Sequence, residues 1–174
     1  MSQALAPVIV LNGTSSAGKT TRARALLPAL GSGWLHVPLD ACIDMQCAQD
    51  CAGCDYRMSE CLSSGFHSSV AALVATGNGV VVGHVLVEPS WQKEFANLLV
   101  RHPVTFVAVE APLGVLEGRE AARDARRKGF ERAQWPWVHA GKAYDVRVDT
   151  SACAIADAVA AVVALTPSLQ SRFL

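Results

Sequence analysis

The 174-residue sequence contains little charge, and its charges show no excess of either sign. Only 17% of the residues are charged and 51% are hydrophobic, a composition that excludes a disordered or fibrous chain. Fifteen lysines and arginines balance fifteen aspartates and glutamates. Because the overall charge attracts neither polyanions nor anionic lipids, we expect no nucleic-acid partner and no membrane partner.

Long apolar runs and a basic leader are also missing. No apolar stretch reaches the roughly 20 residues that a membrane-spanning helix needs. The first apolar run follows no basic residue and leads straight into a glycine-rich loop, so we expect no secretory signal peptide. The six cysteines are then expected to be reduced thiols in a cytoplasmic protein.

The sequence has no internal repeat and no linker, and we predict a single domain over residues 1–174. Apolar β-branched runs alternate with segments of helical spacing, which is typical of an α/β fold whose parallel sheet carries helices on both faces. Strands are predicted at 7–11, 34–39, 79–87, 104–109 and 144–148. Helices are predicted from the glycine-rich turn to residue 30 and at 66–75, 89–100, 113–128 and 151–165.

One motif stands out between the first predicted strand and the first predicted helix. Residues 13–20 match the phosphate-binding pattern G-x-x-x-x-G-K-[ST] at every fixed position. Glycines let main-chain N–H groups turn toward a phosphate, and the positive end of the following helix faces the same phosphate. The lysine can reach the outer phosphate oxygens, and the threonine hydroxyl can ligate Mg²⁺. We predict that ATP is held by Gly13, Thr14, Ser15, Ser16, Ala17, Gly18, Lys19, Thr20 and Thr21.

Two features narrow the chemistry of this loop. The guanine-reading pattern N-K-x-D is absent, which favours ATP over GTP. Asp40 is predicted at the carboxyl end of the second strand, beside the phosphate loop of the first, where ligands bind in open α/β sheets. Its carboxylate could accept the proton of an attacking hydroxyl or hold Mg²⁺ through water, or it could simply cap a helix. Asp44 is a weaker candidate on the same face.

A run of charges follows the fourth predicted strand. On a helix over 113–128, Arg119, Arg123 and Arg126 lie at i, i+4 and i+7 and form one stripe. Such a stripe can be a solvated face with ion pairs. Its position before Gly129 is also where small kinases carry a lid, predicted at about 117–137, whose arginines neutralise charge on the transferred phosphoryl group.

Several segments resemble the chloramphenicol phosphotransferase family of P-loop kinases over nearly the whole chain. They are 9–20, Trp34 with Asp40 and Asp44, 117–126, 138–141 and 144–150. The resemblance implies ATP-dependent phosphorylation of a small-molecule hydroxyl, as in antibiotic resistance by chloramphenicol 3-O-phosphotransferase. It also implies a three-layer P-loop kinase fold with a five-stranded parallel sheet and a helical lid. In this resemblance Asp40 is the catalytic aspartate, and Arg123 and Arg126 match the lid arginines.

The chain departs from the family pattern in two places. Gly83 and His84 stand at the positions where the family commonly has acidic residues near the end of the third predicted strand, so Asp40 or Glu88 is left to complete a Mg²⁺ shell. Residues 45–65, the expected acceptor-region loop, share little resemblance, so the resemblance does not extend to the identity of the acceptor.

That loop contains four cysteines with three interpretations. Their spacing includes the C-x₃-C-x₂-C pattern of radical iron–sulfur enzymes, but those require a larger barrel. A tetrathiolate zinc site could stabilise the loop, although paired C-x₂-C knuckles are absent. Free thiols lining the acceptor pocket are the simplest interpretation. The cysteines are Cys47, Cys51, Cys54 and Cys61.

Two other functions are compatible with these residues. Another metabolite kinase of the shikimate or nucleoside type would share the architecture, and a non-catalytic or toxin-like nucleotide-binding protein would share the loop. His84 could contact substrate or only complete a strand end. His139, Trp135 and Trp137 could pack on the nucleotide base, but we favour a place in the core of the lid.

Overall fold

Strand β1, Val8–Asn12, lies at the centre of a parallel sheet with the strand order β2-β3-β1-β4-β5. The computed structural model describes residues 5–45, 60–122 and 129–167. The predicted five-stranded parallel sheet is confirmed. Its other strands are β2 Trp34–Pro38, β3 Gly79–His84, β4 Val104–Glu110 and β5 Val146–Asp149.

Helices cover both faces of the sheet, so the three-layer α/β architecture is confirmed as well. Successive side chains of β1 point to opposite faces, and each face buries its own apolar cluster. Helices α1, α5 and α7 pack on the face of Ile9 and Leu11, and α2, α3 and α4 pack on the face of Val8 and Val10. The helices are α1 Lys19–Leu30, α2 Leu39–Asp44, α3 Glu60–Ala75, α4 Pro89–Leu98, α5 Leu113–Ala121, α6 Phe130–Val138 and α7 Ile155–Leu165.

The strand order corrects one prediction about the site. Asp40 was expected beside the phosphate loop, but β3 pairs with both β1 and β2 and lies between them. The carboxyl ends of β2 and β1 are therefore two strand spacings apart, roughly 10 Å. Strand order depends on contacts between distant segments, so the local pattern of residues could not have given it.

Several element boundaries also differ from the sequence predictions. Helix α3 begins at Glu60 and not at 66, and α5 ends at Ala121 and not at 128. Helix α6 was not predicted; it follows Gly129, whose φ of 95° interrupts helical geometry. Helix α7 begins only at Ile155 because the Asp149 carboxylate accepts the Ser151 N–H at 2.8 Å and turns the chain first. Within the described ranges, no helix combines the length and apolar character needed to cross a membrane.

Candidate active site

The loop between β1 and α1 leaves the start of α1 open to an anion. Ser16 has a φ of 56° and Gly18 a φ of 91°, so the chain turns through left-handed conformations before α1 begins at Lys19. No side chain caps this helix and no acidic residue stands in its first turn. Because its first N–H groups and the positive end of its dipole are not matched by a side chain, the loop fits a phosphate group.

Gly13 holds this loop against the sheet. A Cβ atom at Gly13 would lie 2.2 Å from the carbonyl oxygen of Val109 in β4, which is far inside van der Waals contact. The Gly13 N–H donates to the carbonyl of His84 at 3.3 Å. The loop therefore runs closely across the carboxyl ends of β3 and β4, and only a residue without a side chain fits there.

Lys19 and Thr20 are the first two residues of α1, directly after the loop. The Lys19 ammonium donates to the carbonyls of Gly13 and Thr14, at 2.8 and 2.7 Å, and is folded back over the loop. Thr20 and Thr21 are exposed in the first turn of α1. A hydroxyl oxygen beside a phosphate is a ligand that Mg²⁺ accepts, so the exposed Thr20 fits its predicted role.

Helix α6 reaches the same loop, which the sequence did not reveal. The Gln134 side-chain carbonyl oxygen accepts the main-chain N–H of Ser15 at 2.7 Å. A phosphate oxygen would accept a hydrogen bond from that N–H. The neutral amide oxygen of Gln134 takes the place of the phosphate oxygen here. The contact joins residues 119 positions apart, and no local pattern marks Gln134.

We expect Gln134→Ala to bind ATP about 2- to 10-fold more tightly, because a competing hydrogen bond no longer has to break. Titration calorimetry with a non-hydrolysable ATP analogue measures the change. Gln92→Ala, in the distant helix α4, is the control and should leave the affinity unchanged. Weaker binding by Gln134→Ala would show instead that this side chain contacts the nucleotide.

Arginines brace the loop from the opposite side. Arg119 of α5 donates to the hydroxyl and the carbonyl of Thr150 at 2.8 and 3.0 Å, and to the carbonyl of Ser16 at 3.4 Å. Arg22 is buried and donates to the same Thr150 carbonyl at 3.4 Å. Burial lowers the pKa of Arg22, and Arg119 lowers it further. Two guanidinium groups therefore place positive charge behind the loop.

Glu131 is a buried acid next to the loop. It is 1% exposed, and neither carboxylate oxygen completes a hydrogen bond within the described ranges. Burial is the main cause that raises its pKa. The nearby Glu120 raises the pKa further. The sequence did not single out this residue, since an acid in the first turn of a helix is ordinary.

Glu131→Gln should flatten the dependence of stability on pH. The raised pKa means that the native state binds this proton more tightly than the unfolded state, so stability falls as pH rises above the unfolded value of about 4.5. The variant lacks this fall and should therefore be more stable than the wild type at neutral pH. Urea unfolding across the pH range measures it. Glu117→Gln, whose carboxylate pairs with Arg132 near the surface, should change stability far less.

Asn12 links the end of β1 to the segments after α6. Its side-chain amide is buried, donates to the Val138 carbonyl and the Tyr144 hydroxyl at 2.8 and 2.7 Å, and accepts the Leu86 N–H at 2.8 Å. Tyr144 in turn contacts His139 Nδ1 at 2.8 Å. Asn12 was not predicted as a site residue; its polar side chain at the end of an apolar strand is the local signal that could have marked it.

Asp40 lies in the first turn of α2, at the same edge of the sheet as the phosphate loop. The interpretation of Asp40 as an N-cap is wrong, because Pro38 occupies the cap position. Asp40 is half-buried, and its negative charge opposes the lowering of the His36 pKa by burial and by Arg24. Asp44 is exposed at the end of the helix. The strands that lead to Asp40 and to the phosphate loop end two strand spacings apart, roughly 10 Å.

Other predicted site residues are placed differently or lie outside the described ranges. The residues that lie outside the described ranges include Arg123, Arg126, Cys47, Cys51 and Cys54. Cys61 is exposed on α3, and the described residues contain no group of three metal-binding side chains.

The structure also places the two tryptophans of α6 and the histidine that ends β3. Trp135 and Trp137 are 49% and 63% exposed, so their assignment to a lid core is wrong. His84 is fully buried, and its Nε2 lies 2.9 Å from Nε2 of His67 in α3. Gly83 and His84 form the last two positions of β3, and the first carboxylate after them is Glu88, in the cap position of α4.

Solved structures with the same fold include several kinases. A gluconokinase from Sinorhizobium meliloti 1021 is 19% identical, with a TM-score of 0.68 over 94% of this chain and 93% of that one. The Mycobacterium tuberculosis APS kinase, in complex with AMPPNP and APS, is 16% identical, with a TM-score of 0.69 over 94% and 98%. A tunicamycin resistance protein from Deinococcus radiodurans is 16% identical, with a TM-score of 0.66 over 91% and 94%. At these identities the likeness shows the P-loop kinase fold alone.

A comparison with curated proteins found no match. A comparison with protein families found a match, and this match covers nearly the whole chain. The family model described as chloramphenicol phosphotransferase-like protein matches residues 6–166, a range that includes the phosphate loop, Asp40 and all five strands. The chain therefore belongs to the chloramphenicol phosphotransferase-like family.

Proposed function

We propose that this protein transfers the γ-phosphoryl group of ATP to a hydroxyl group of a small molecule. The observation that carries the proposal is the uncapped start of α1 behind a left-handed loop, in a chain of this family. An anion placed there meets main-chain N–H groups, the helix dipole and Lys19 together.

The residues divide the reaction between them. Asp40 accepts the proton as the acceptor oxygen forms its bond to the γ-phosphorus, and the bond from that phosphorus to the bridging oxygen of ADP breaks. Lys19 stabilises the charge that moves onto the phosphoryl and bridging oxygens. Thr20, and Asp40 through water, would hold Mg²⁺, which neutralises phosphate charge when bound.

The remaining parts of the proposal concern segments that close the site. Residues 117–137 would form a lid that excludes water, and Arg123 and Arg126 would reach the transferred phosphoryl group from it. Residues 45–65 would form the acceptor-region loop, with the cysteines as free thiols or as a zinc site. All of these parts would belong to a single domain over 1–174 in the cytoplasm.

The acceptor in the proposal is a small alcohol of the chloramphenicol type, and phosphorylation would then inactivate an antibiotic. Support comes from the family alone, since the gluconokinase and the APS kinase share the fold with other named substrates. A panel of chloramphenicol, gluconate, shikimate and adenosine separates these substrate classes.

The test measures ADP release from ATP–Mg²⁺ with each compound of the panel and with water alone. A kinase of this type should show at least one compound that raises the rate well above the water-only rate, together with a phosphorylated product of matching mass. ATP binding without stimulation by any compound would favour a non-catalytic nucleotide-binding protein and contradict the proposal.

A further inference from the structure

Helix α6 carries a tryptophan that is exposed beside the phosphate loop. Trp137 is the second-last residue of this helix and is 63% exposed, and its side chain takes no part in the loop contacts described above. An indole offers a large planar surface to a ligand or a partner. Exposure alone does not define a site, because single apolar residues are common on protein surfaces. The direction in which Trp137 faces therefore decides what it contacts.

Helix α6 crosses the carboxyl edge of the sheet above β1. Its Gln134 contacts the phosphate loop, and the carbonyl of Val138, its last residue, accepts the side-chain amide of Asn12 at the end of β1. The Asn12 side-chain oxygen also accepts the N–H of Leu86, shortly after the end of β3. The end of α6 that carries Trp137 therefore lies at the junction of β1 and β3.

The positions along α6 divide its surface into an inner face and two flanks. Glu131, Gln134 and Val138 form the inner face, because they are buried or contact the loop. Successive residues of a helix are turned by about 100°. Arg132 follows the buried Glu131 by one residue and pairs with an acidic residue of α5, which identifies the flank that faces α5. Trp137 precedes the buried Val138 by one residue, so it is turned by about 100° in the opposite sense and lies on the other flank.

The strand order identifies what each flank faces. Helix α5 lies on the side of β4 and β5, since it follows β4 and its Arg119 bonds to Thr150, directly after β5. The strands on the other side of β1 are β3 and β2. Strand β2 leads into α2 and Asp40. Trp137 therefore faces the side of the carboxyl edge that carries Asp40, where the proposed function has the acceptor.

We propose that Trp137 is a specificity-determining residue whose indole stacks on a planar ring of the small-molecule acceptor. This inference rests on the proposed function and specifies its substrate class. The acceptor is an alcohol that carries an aromatic or heteroaromatic ring near the hydroxyl that is phosphorylated.

The chemistry of an indole and the anchoring of α6 both favour a ring-bearing ligand. The face of an indole is apolar and carries a partial negative charge, so it attracts a neutral planar ring and offers little to a polyhydroxylated or anionic ligand. The contacts of Gln134 and Val138 hold the helix on both sides of Trp137 in the sequence. Because its backbone is already fixed, the indole loses little freedom when it stacks on a ligand.

The experiment uses the panel of acceptors, which divides into two classes. Chloramphenicol and adenosine carry aromatic rings, whereas gluconate and shikimate do not. Titration calorimetry measures each compound against protein saturated with ADP and Mg²⁺, which keeps adenosine out of the nucleotide site. At least one ring-bearing compound should bind the wild type, and Trp137→Leu should bind it about 5- to 50-fold more weakly. Any binding of gluconate or shikimate should change by less than about twofold.

Further variants separate stacking from a structural role. Trp137→Phe keeps an aromatic face and should restore the affinity for the ring-bearing compound to within about threefold of the wild type. Trp135→Leu is the matched control, because Trp135 is also exposed on α6 but lies on the flank of α5. It should leave the acceptor affinity unchanged. In initial-rate measurements the loss in Trp137→Leu should appear in KM with kcat little changed, since a stacked ring is bound equally in the ground and transition states.

Each outcome decides one question. A ring-bearing compound that stimulates ADP release with the same KM in the wild type and in Trp137→Leu overturns the inference while the proposed function stands. Failure of both ring-bearing compounds to bind also overturns it, as does an equal loss of affinity for an ATP analogue, which would place the indole on the nucleotide. A ring-bearing compound that binds through Trp137 without ADP release supports the binding role and contradicts the kinase proposal.

Discussion

Asp40→Asn should lower the acceptor-dependent rate of ADP formation by about 10²- to 10⁴-fold. The asparagine amide has nearly the shape of the carboxylate but cannot accept the proton that the attacking hydroxyl loses. Asp40 is half-buried in the first turn of α2, at the edge where the phosphate loop also lies. Initial rates with a stimulating panel compound measure the effect, and ATP affinity should change little.

Asp44→Asn provides the matched control for this prediction. Asp44 belongs to the same short helix but is exposed at its last turn, so its replacement should leave the rate within about twofold of the wild type. Equal losses in both variants would point to a disturbed helix. An unchanged rate in Asp40→Asn would remove Asp40 from the chemistry and leave the proton acceptor to be found elsewhere.

Gly13→Ala should unfold the phosphate loop and destabilise the whole protein. Its Cβ would need to occupy a position 2.2 Å from the Val109 carbonyl oxygen, a main-chain atom held within the sheet. Relieving that overlap requires β1 and β4 to separate at the loop. Overpacking of this kind costs about 1–3 kcal/mol or more, and ATP binding should fall below detection. Urea unfolding and calorimetry with an ATP analogue measure the two effects.

Gly118→Ala is the control, because it makes the same replacement of glycine by alanine at another position. Gly118 lies within α5, and a Cβ atom there meets nothing within 4 Å. Because alanine is the better helix former, this variant should gain about 0.5–1 kcal/mol of stability and keep its ATP affinity. If Gly13→Ala retained both stability and ATP binding, the close passage of the loop across β4 would not be a requirement of the site.

Much of the fold was predictable because its signals are local. Apolar β-branched runs gave all five strands to within a few residues, and alternating helices gave the three layers. The phosphate-binding pattern of residues 13–20 marked the loop, because its glycines and the following helix are needed in a fixed order. Helix ends were less predictable: α5 stops at Ala121 and α7 begins after a turn made by Asp149.

Much of the candidate site was not predictable, because its contacts join distant segments. Gln134 meets Ser15 across 119 positions, and Arg119 meets Thr150 across 31. Neither contact follows from the periodicity of its own helix. The contacts of His67 in α3 are similar, because they depend on how β3 and α4 pack against this helix.

The sequence by itself determined the family, the α/β class and the phosphate loop, because each depends on residue types at fixed spacings along the chain. Only the tertiary structure decided that β3 separates Asp40 from the loop, that Gln134 holds a loop amide, and that His84 is buried against His67. The physical reason is that strand order, burial and hydrogen-bond partners are set when distant segments exclude water from one another. The spacing of residues within one segment does not specify which distant segment will pack against it.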